Sequence, residues 1–423
     1  MKIYVEKFGG ASVNSADAVK NVLKILSLEK KQRIVVISAM GKTTNKLERI
    51  VNLFFNEKKF DNGQYEELIQ YHNNIIDNLF SDSEKEICKG KVLEIFSEMK
   101  EKILRLPSSD YNFLYDSIVS YGERISTLIV SEFLNSNNLT NSLIDSRHII
   151  KTDNNYRDAN IQSEETRRAC QEIILPELEK NSTVITQGFV GGSKEGLATT
   201  LGREGSDYSA SVIAYSLGAE SLTIWKDVSG LLNADPKRIS NTKLLRKVPY
   251  REAIELSYYG ATIIHPKTIK PLENLSIPLY IKSFLSPQSE GTVICAEEEL
   301  DPKVTNFIFK DNQVLLSVSA KDFSFIAERN IASIFSILAK HKVKVNLIQN
   351  SAISFSVCFD ENNNILPLLL ADLQKDYTVK YNTDLQLITL RHYTATETED
   401  ILKHKKVLIE QKSRTTAQYL VMQ

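Results

Sequence analysis

The 423-residue sequence predicts an α/β protein, with a parallel-rich sheet sandwiched by helices and then a smaller α+β ferredoxin-like region. Three observations predict it. Short strand patterns alternate with helical ones as far as residue 297, the mark of α/β architecture. The run Arg33-Ile34-Val35-Val36-Ile37-Ser38 is apolar on both faces, as a parallel strand covered on both sides must be. After residue 305 the order becomes strand, helix, strand, strand, helix, strand, which suits a ferredoxin-like unit.

Taken in order, Ile3 and Val5 alternate with polar neighbours until Gly9-Gly10 break the strand. Ser15 is placed to cap a helix whose Val19, Val22, Leu23 and Leu26 share one face. The 33–38 strand closes a strand–helix–strand unit, right-handed by default. Residues 46 to 135 read as a charged, glycine-poor helical excursion. Strands return at 142–145, 183–186 and 221–225. The acidic, turn-rich stretch from Pro287 to Pro302 reads as a linker. Beyond it the expected elements are strand 314–319, helix 331–341, strands 343–349 and 353–359, helix 364–375 and strand 377–381. Residues 385–423 repeat part of that theme, with strands near 385–391 and 413–421 around a helix. The expected division is 1–297 and 305–423, the latter a fuller unit at about 312–383 and a shortened copy at about 384–423.

Composition narrows the function classes. Lys+Arg number 52 against 53 Asp+Glu, a net charge of -1, so bulk electrostatics argues for neither nucleic acid nor membrane as partner. Apolar runs such as 34–37 fall far short of the roughly 18 residues of a membrane span. Lys2, Glu6 and Lys7 interrupt any signal-peptide core, and a cytoplasmic location is expected. The cysteines at 88, 170, 295 and 358 form no C-x-x-C pair, so reduced thiols and no metal site are expected.

Three loops could carry chemistry. In Lys7-Phe8-Gly9-Gly10-Ala11-Ser12 the glycines serve either an ordinary βα turn or an anion cradle of backbone N–H groups. Ser38-Ala39-Met40-Gly41-Lys42-Thr43-Thr44-Asn45 lacks Walker A spacing, and its hydroxyls could simply cap a helix starting near Lys46. The longest is Gln187-Gly188-Phe189-Val190-Gly191-Gly192 with Leu201-Gly202-Arg203-Glu204-Gly205-Ser206-Asp207-Tyr208-Ser209-Ala210. There Ser206 or Asp207 would cap a helix and Arg203 could clamp a carboxylate or phosphate, with a structural ion pair as the alternative. Six unclustered histidines build no nucleophilic triad, and His265 reads as a packed or turn residue. Trp225 reads as core, and Lys403-His404-Lys405-Lys406 as a solvated helix face.

Together these loops resemble the aspartate kinases of the amino-acid kinase family. Lys7 to Val13 is similar to K-F-G-G-T-S-V, and Val36 to Asn45 to V-S-A-M-G-x-T-T-[ND]. Tyr121-Gly122-Glu123-Arg124 matches the buried G-E helix segment, and 201–210 matches L-G-R-[GE]-G-S-D-[YL]-[ST]-A. Trp225 to Gly230 with Ala234-Asp235-Pro236-Lys237, Tyr259 to Pro266 and Ser283 to Ile294 resemble three further motifs, and the 305–423 region resembles paired ACT regulatory domains.

The resemblance implies ATP- and Mg²⁺-dependent phosphorylation of the L-aspartate side-chain carboxylate to 4-phospho-L-aspartate, a first step towards lysine, threonine and methionine. By motif matching, Lys7 would neutralise the transferring phosphoryl group, with Gly9 and Gly10 cradling it. Arg203 would grip the α-carboxylate of aspartate and Glu123 its ammonium, with Ser38, Thr44 and Ser206 supplying hydroxyls. Asp207 would orient Lys7 or hold the amino group, while Lys226, Asp227, Asp235 and Lys237 would surround the nucleotide. The ACT region implies a homo-oligomer of at least two copies and allows an amino-acid effector. Departures from the family pattern are Ala11 for Thr, Leu232 for Tyr and Thr262 for Lys, the last with Lys267 or Lys270 as conceivable substitutes. Arg329-Asn330 replaces a glycine-containing turn, and Asn346 stands where lysine-sensitive members carry Asp. Two other readings stay open: a kinase for another small carboxylate, and an amino-acid sensor with a dead kinase site.

Overall fold

The computed structural model describes residues 2–422 apart from 108, 262, 263 and 323, so Thr262 lies outside the described residues. The chain forms two units. The first comprises Met1–Leu231, Leu244–Ile254 and Ile263–Asp301, and the second Leu232–Lys243, Glu255–Thr262 and Pro302–Gln423.

In the first unit, β1 (Ile3–Phe8) leads into α1 (Ala16–Leu26), capped by Ser15, whose hydroxyl accepts from the Ala18 N–H at 3.2 Å. β2 (Gln32–Ile37) follows. Then comes the helical excursion: α2 (Thr43–Glu57), α3 (Asn62–Asp77), α4 (Asp82–Arg105), α5 (Tyr111–Val119) and α6 (Tyr121–Ser136). Leu47, Leu68, Phe96, Ile118 and Ile125 from these helices share one core with Phe8, Val35 and Ile37, so the excursion belongs to the main core. α2 starts at Thr43 rather than near Lys46. The Thr43 hydroxyl donates to the Met40 carbonyl at 2.7 Å, which folds the loop into the first helical turn instead of capping it.

β3 (Ser142–Ile144), α7 (Ser146–Ile149), α8 (Ser163–Asn181) and β4 (Thr183–Gln187) come next, then the hairpin β5 (Val190–Gly192) and β6 (Ala198–Thr200), α9 (Gly205–Leu217) and β7 (Ser221–Lys226). β8 (Lys247–Pro249), α10 (Tyr250–Tyr259), α11 (Pro266–Asn274), β9 (Leu279–Ser283) and β10 (Thr292–Cys295) follow. The eight-stranded sheet runs β3-β4-β2-β1-β7-β9-β10-β8. β10 corrects the linker expected at 287–302: Thr292 is buried there, donating to the Leu245 carbonyl at 2.6 Å and accepting from the Leu231 N–H at 2.8 Å. α9 corrects the expected cap: it starts at Gly205 behind Glu204, whose φ of 54° makes the turn, and Asp207 lies inside the first turn.

In the second unit the first and last strands of the fuller copy are longer than their patterns suggest. β11 (Asn306–Ala320), α12 (Glu328–Lys340), β12 (Val345–Asn350), β13 (Ser354–Asp360), α13 (Leu366–Asp376) and β14 (Tyr377–Arg391) precede α14 (Ala395–Leu402), β15 (Val407–Lys412) and β16 (Thr416–Met422). One six-stranded sheet runs β12-β13-β11-β14-β16-β15. β11 and β14 are each shared between two ferredoxin-like halves, with register shifts between Lys310 and Leu315 marking the change. Residues 313–320 pair with 377–385 and β13 in the first half, while 306–310 pair with 387–391 in the second. The second copy is therefore not short of a strand, because 306–310 supplies one from ahead of the first copy. A strand at 407–412 replaces loop in the expected pattern. α14 ends at Leu402, so the Lys403–Lys406 charge run lies beyond a helix rather than on its face.

Candidate active site

β1, β2, β4 and β7 are parallel neighbours, which brings their carboxyl ends to one edge of the sheet. β1 and β7 are neighbours from which the chain departs in opposite directions, β1 to β2 on one side and β7 to β8, β9 and β10 on the other, and ligands of open α/β sheets bind at the carboxyl ends beside such a switch point. Lys7 lies opposite Val36 and Ile224, one residue from the end of β1. Beyond it, Gly9 precedes a 3₁₀ turn at Gly10–Val13. A Cβ on Gly9 would lie 3.5 Å from Lys7 Nζ, so the ammonium rests against glycine main chain. A Cβ on Gly10 would lie 2.7 Å from the Ala39 carbonyl oxygen, and the Gly10 carbonyl accepts from the Gly41 N–H at 3.0 Å. Glycine is thus what lets the first two loops touch.

The third loop delivers Asp207 to the same ammonium. Lys7 Nζ is 2.6 Å from Asp207 Oδ1, and Lys226 Nζ, at the end of β7, is 3.3 Å from Oδ2. Burial pushes the Asp207 carboxyl up, but the two lysines outweigh it and hold it below the ordinary range. Two ammonium groups thus share one carboxylate beside the Gly9-Gly10 turn. Gly188 packs on Ser206, where a Cβ would fall 2.6 Å from the serine Cβ. Glu6, next to Lys7 in sequence, is also buried but faces other partners: Trp225 Nε1 at 3.0 Å, Lys31 at 3.1 Å and Arg33 at 3.5 Å. The alternation of side chains along β1 separates these two charged clusters.

Glu123 reaches the second loop from α6. Gly122 makes room for it, since a Cβ there would meet Ala39 Cβ at 3.1 Å and Thr43 Cγ2 at 3.3 Å. Ser126 Oγ donates to the Ser38 carbonyl at 2.8 Å, and Thr127 Oγ1 accepts from Gln187 Nε2 at 2.8 Å, pinning the helix to the ends of β2 and β4. One Glu123 oxygen accepts from the Ala39 N–H at 3.4 Å, while the other is buried without a partner among the described residues. Burial pushes this carboxyl up to about 8. A buried carboxylate with an unused oxygen is suited to a cationic ligand group, which would supply both the charge and the missing donor.

The hydroxyls of Ser38, Thr44 and Ser206 form no hydrogen bonds among the described residues, and Arg203 is exposed and unpaired among them. Asp227 is exposed just beyond β7. Asp235 and Lys237 belong to the 232–243 segment of the second unit, where the Asp235 carboxylate accepts from the Lys237 N–H at 2.9 Å. Lys267, a conceivable substitute for the missing lysine at 262, is taken by Asp158 at 2.6 Å, whereas Lys270 is exposed. His265 caps α11, its side chain accepting from the Lys267 N–H. Trp225 is buried and stacked on Phe8, their ring centroids 6.1 Å apart. Two further buried polar residues are His72 and Asp116. Burial holds His72 down to about 4, so it is neutral, and its Nδ1 bonds the Leu68 carbonyl at 2.7 Å. Asp116 is bonded to Thr200. No spacing signal marks either one.

A doubly wound sheet with glycine loops and paired lysines at its carboxyl edge defines a phosphate-handling α/β protein. The amino acid kinase family model matches residues 2–283. The chain is 30% identical over 397 residues to lysine-sensitive aspartokinase 3 of Escherichia coli, covering 92% of this chain and 87% of that protein. It is 31% identical over 421 residues to chloroplastic aspartokinase 2 of Arabidopsis thaliana, covering 91% and 73%. It spans 46% of the bifunctional aspartokinase/homoserine dehydrogenase of Buchnera aphidicola, at 31% identity over 87% of this chain. Among solved structures, E. coli aspartokinase III with lysine and aspartate superposes with a TM-score of 0.83 at 27% identity, over 100% of this chain and 96% of that one. The same enzyme with aspartate and ADP gives a TM-score of 0.83 at 26% identity and the same coverage. The chain belongs to the amino acid kinase family and, within it, to the aspartokinases.

Proposed function

We propose that this chain transfers the γ-phosphoryl group of ATP to the side-chain carboxylate of L-aspartate, giving 4-phospho-L-aspartate and ADP. The observation that carries the reading is the Lys7–Asp207–Lys226 cluster beside the Gly9-Gly10 turn, with Lys7 and Asp207 buried. Aspartate and ADP in the solved relative support it. The acceptor carboxylate has an ordinary pKa near 4 and is already ionised at neutral pH, so no general base is required. Phosphoryl transfer then needs positioning and charge neutralisation. In this reading Lys7 neutralises the transferring group, the Gly9 and Gly10 main chain cradles it, and Asp207 fixes the Lys7 ammonium. Glu123 takes the substrate ammonium with its unused oxygen, and Arg203 takes the α-carboxylate through two parallel N–H donors. Ser38, Thr44 and Ser206 offer hydroxyls. Lys226 and Asp227 stand on the nucleotide side, and Asp235 and Lys237 are assigned to the nucleotide by their motif.

Mg²⁺ fits this chemistry as an ion carried by nucleotide phosphates, which it neutralises with few protein ligands. Among the described residues no three His, Cys, Asp or Glu side chains cluster as a cage, and an ion bound mainly through phosphates needs none. The 1–297 and 305–423 division into catalytic and ACT regulatory regions is part of the proposal. Homo-oligomerisation through the ACT region is supported by the open edges β12 and β15, where Ile348 and Val407 are exposed. An amino-acid effector is supported by lysine in the solved relative. At Asn346, however, both amide ends are already engaged, with Lys310, Gln313 and Asp360 each within 2.9 Å. Cytoplasmic residence is supported by the four unpaired cysteines.

The test is ADP release with ATP and Mg²⁺ against L-aspartate, L-glutamate and N-acetylglutamate, with hydroxylamine trapping acyl phosphate as hydroxamate. Aspartate-dependent hydroxamate is expected. Turnover with another acid alone would move the substrate, and binding without turnover would make the chain a sensor.

A further inference from the structure

The turn that carries Arg203 hangs from a carboxylate to which the proposed chemistry gives no role. Asp116, on α5, is fully buried. Its Oδ2 accepts from the Thr200 N–H at 2.8 Å and from the Arg157 N–H at 3.0 Å, and its Oδ1 accepts from the Thr200 hydroxyl at 2.6 Å. Thr200 ends β6, and the chain runs from it through Leu201 and Gly202 directly into Arg203. The Thr200 carbonyl accepts from the Ala159 N–H at 3.0 Å, so Thr200 and the 157–159 turn are joined twice, once directly and once through Asp116.

Gly202 is seated on that turn. Its φ is 75°, and a Cβ would fall 2.9 Å from Asp158 Oδ1 and 3.1 Å from the Arg157 carbonyl oxygen. The turn is fixed from outside as well. The Arg157 guanidinium lies 4.4 Å from the Tyr115 ring centre and 3.6 Å from Glu48, and Lys267 holds Asp158 at 2.6 Å. Arg203 itself is exposed and unpaired among the described residues, so its own side-chain contacts do not aim it. Its direction is set by the main chain on which it stands.

A buried carboxyl with three neutral donors costs desolvation that an apolar residue would avoid. What it provides is geometry, since one side chain binds the end of a strand and the turn opposite into a single seat. We propose that Asp116 is a positioning residue for Arg203, fixing β6 and the 157–159 turn so that the guanidinium presents its donors to the substrate α-carboxylate. This rests on the reading of Arg203 as the carboxylate clamp.

The test is steady-state kinetics of the full chain carrying Asp116→Asn, Thr200→Val, Arg203→Ala, or Asp116→Asn with Arg203→Ala. Asp116→Asn keeps the volume but turns a donor, or a weaker acceptor, towards Thr200 and Arg157, and Thr200→Val removes one donor alone. Each is expected to raise the aspartate KM about 10-fold, with the ATP KM and kcat within about two-fold, because small misplacements of a substrate clamp are amplified. In the Arg203→Ala background, Asp116→Asn should add little, since residues acting as one unit are not additive. An unchanged aspartate KM in folded Asp116→Asn, or an equal rise in both KM values, would overturn the proposal. If Asp116→Asn does not fold, Thr200→Val decides by the same criteria. If Arg203→Ala leaves the aspartate KM unchanged, the clamp reading fails. If Arg203→Ala raises it and Asp116→Asn does not, the positioning role alone fails.

Discussion

Buried Lys7 and Asp207 and half-buried Lys226 form a set in which the central carboxylate depends on both lysines. Lys7→Ala is expected to lower kcat by about 10³-fold, in line with loss of a preorganised charge at the reacting group. It should also destabilise the fold by about 3 kcal/mol, because a buried carboxylate loses its nearer partner. Single-turnover phosphoryl transfer and thermal unfolding check the two effects separately, and retained turnover would remove Lys7 from the chemistry. Glu123 gives a prediction in pH. Its folded-state value is raised to about 8, so the carboxyl stays protonated in the free protein where an unfolded chain would be ionised. Its contribution to stability is complete below the ordinary value near 4.3 and is lost as pH rises through about 8. The melting temperature should fall across that window, and Glu123→Gln should flatten the fall. Binding a substrate ammonium favours the ionised form, so the aspartate KM should drop as pH rises from 7 to about 8.5. A flat KM profile would take Glu123 out of substrate binding.

At the scale of elements, the glycines at strand ends decide how closely the loops approach. Gly10→Ala would drive a methyl group into the Ala39 carbonyl oxygen at 2.7 Å. It is expected to cost about 1–3 kcal/mol, the range of overpacked interiors, and to raise the ATP KM. Gly90, in the middle of α4, is the contrasting case, with nothing among the described residues within 4 Å of a Cβ there. Gly90→Ala should stabilise by about 0.5–1 kcal/mol with unchanged kinetics, because only the helix propensity changes. Chemical denaturation of the pair separates close approach from conformational freedom. The motif loops were legible in the sequence because each couples glycine and charge to the end of an apolar strand. The start of α9 was not, because Glu204 takes a left-handed turn that favours glycine and displaces the cap from Ser206 and Asp207. β10 was hidden because its four residues sit among turn-forming neighbours and gain their pairing from β8 and β9.

For the whole molecule, each unit carries its own consequence. The second unit ends in exposed edges at β12 and β15, and charges placed there should block strand addition. Ile348→Lys with Val407→Lys is expected to shift sedimentation towards a smaller species at equal concentration. Unchanged sedimentation would rule out these edges as the assembly surface. The second unit also shows why the copy at 384–423 looked incomplete: its missing strand is 306–310, which precedes the fuller copy in the chain. Pattern reading follows the chain in order, whereas the sheet pairs strands by hydrogen bonding regardless of order.

The sequence by itself determined the class of architecture, the strand ends and loops that concentrate charge and glycine, and the aspartate kinase resemblance. These are local matters of period, turn chemistry and residue type. Tertiary structure alone decided which charges meet. It placed Asp207 against Lys7 across 200 residues, left one oxygen of Glu123 buried and unpaired among the described residues, and hung the Arg203 turn from Asp116 across 84. Those outcomes depend on which strands and helices pack together, and burial then turns ordinary side chains into groups with shifted charge and fixed direction.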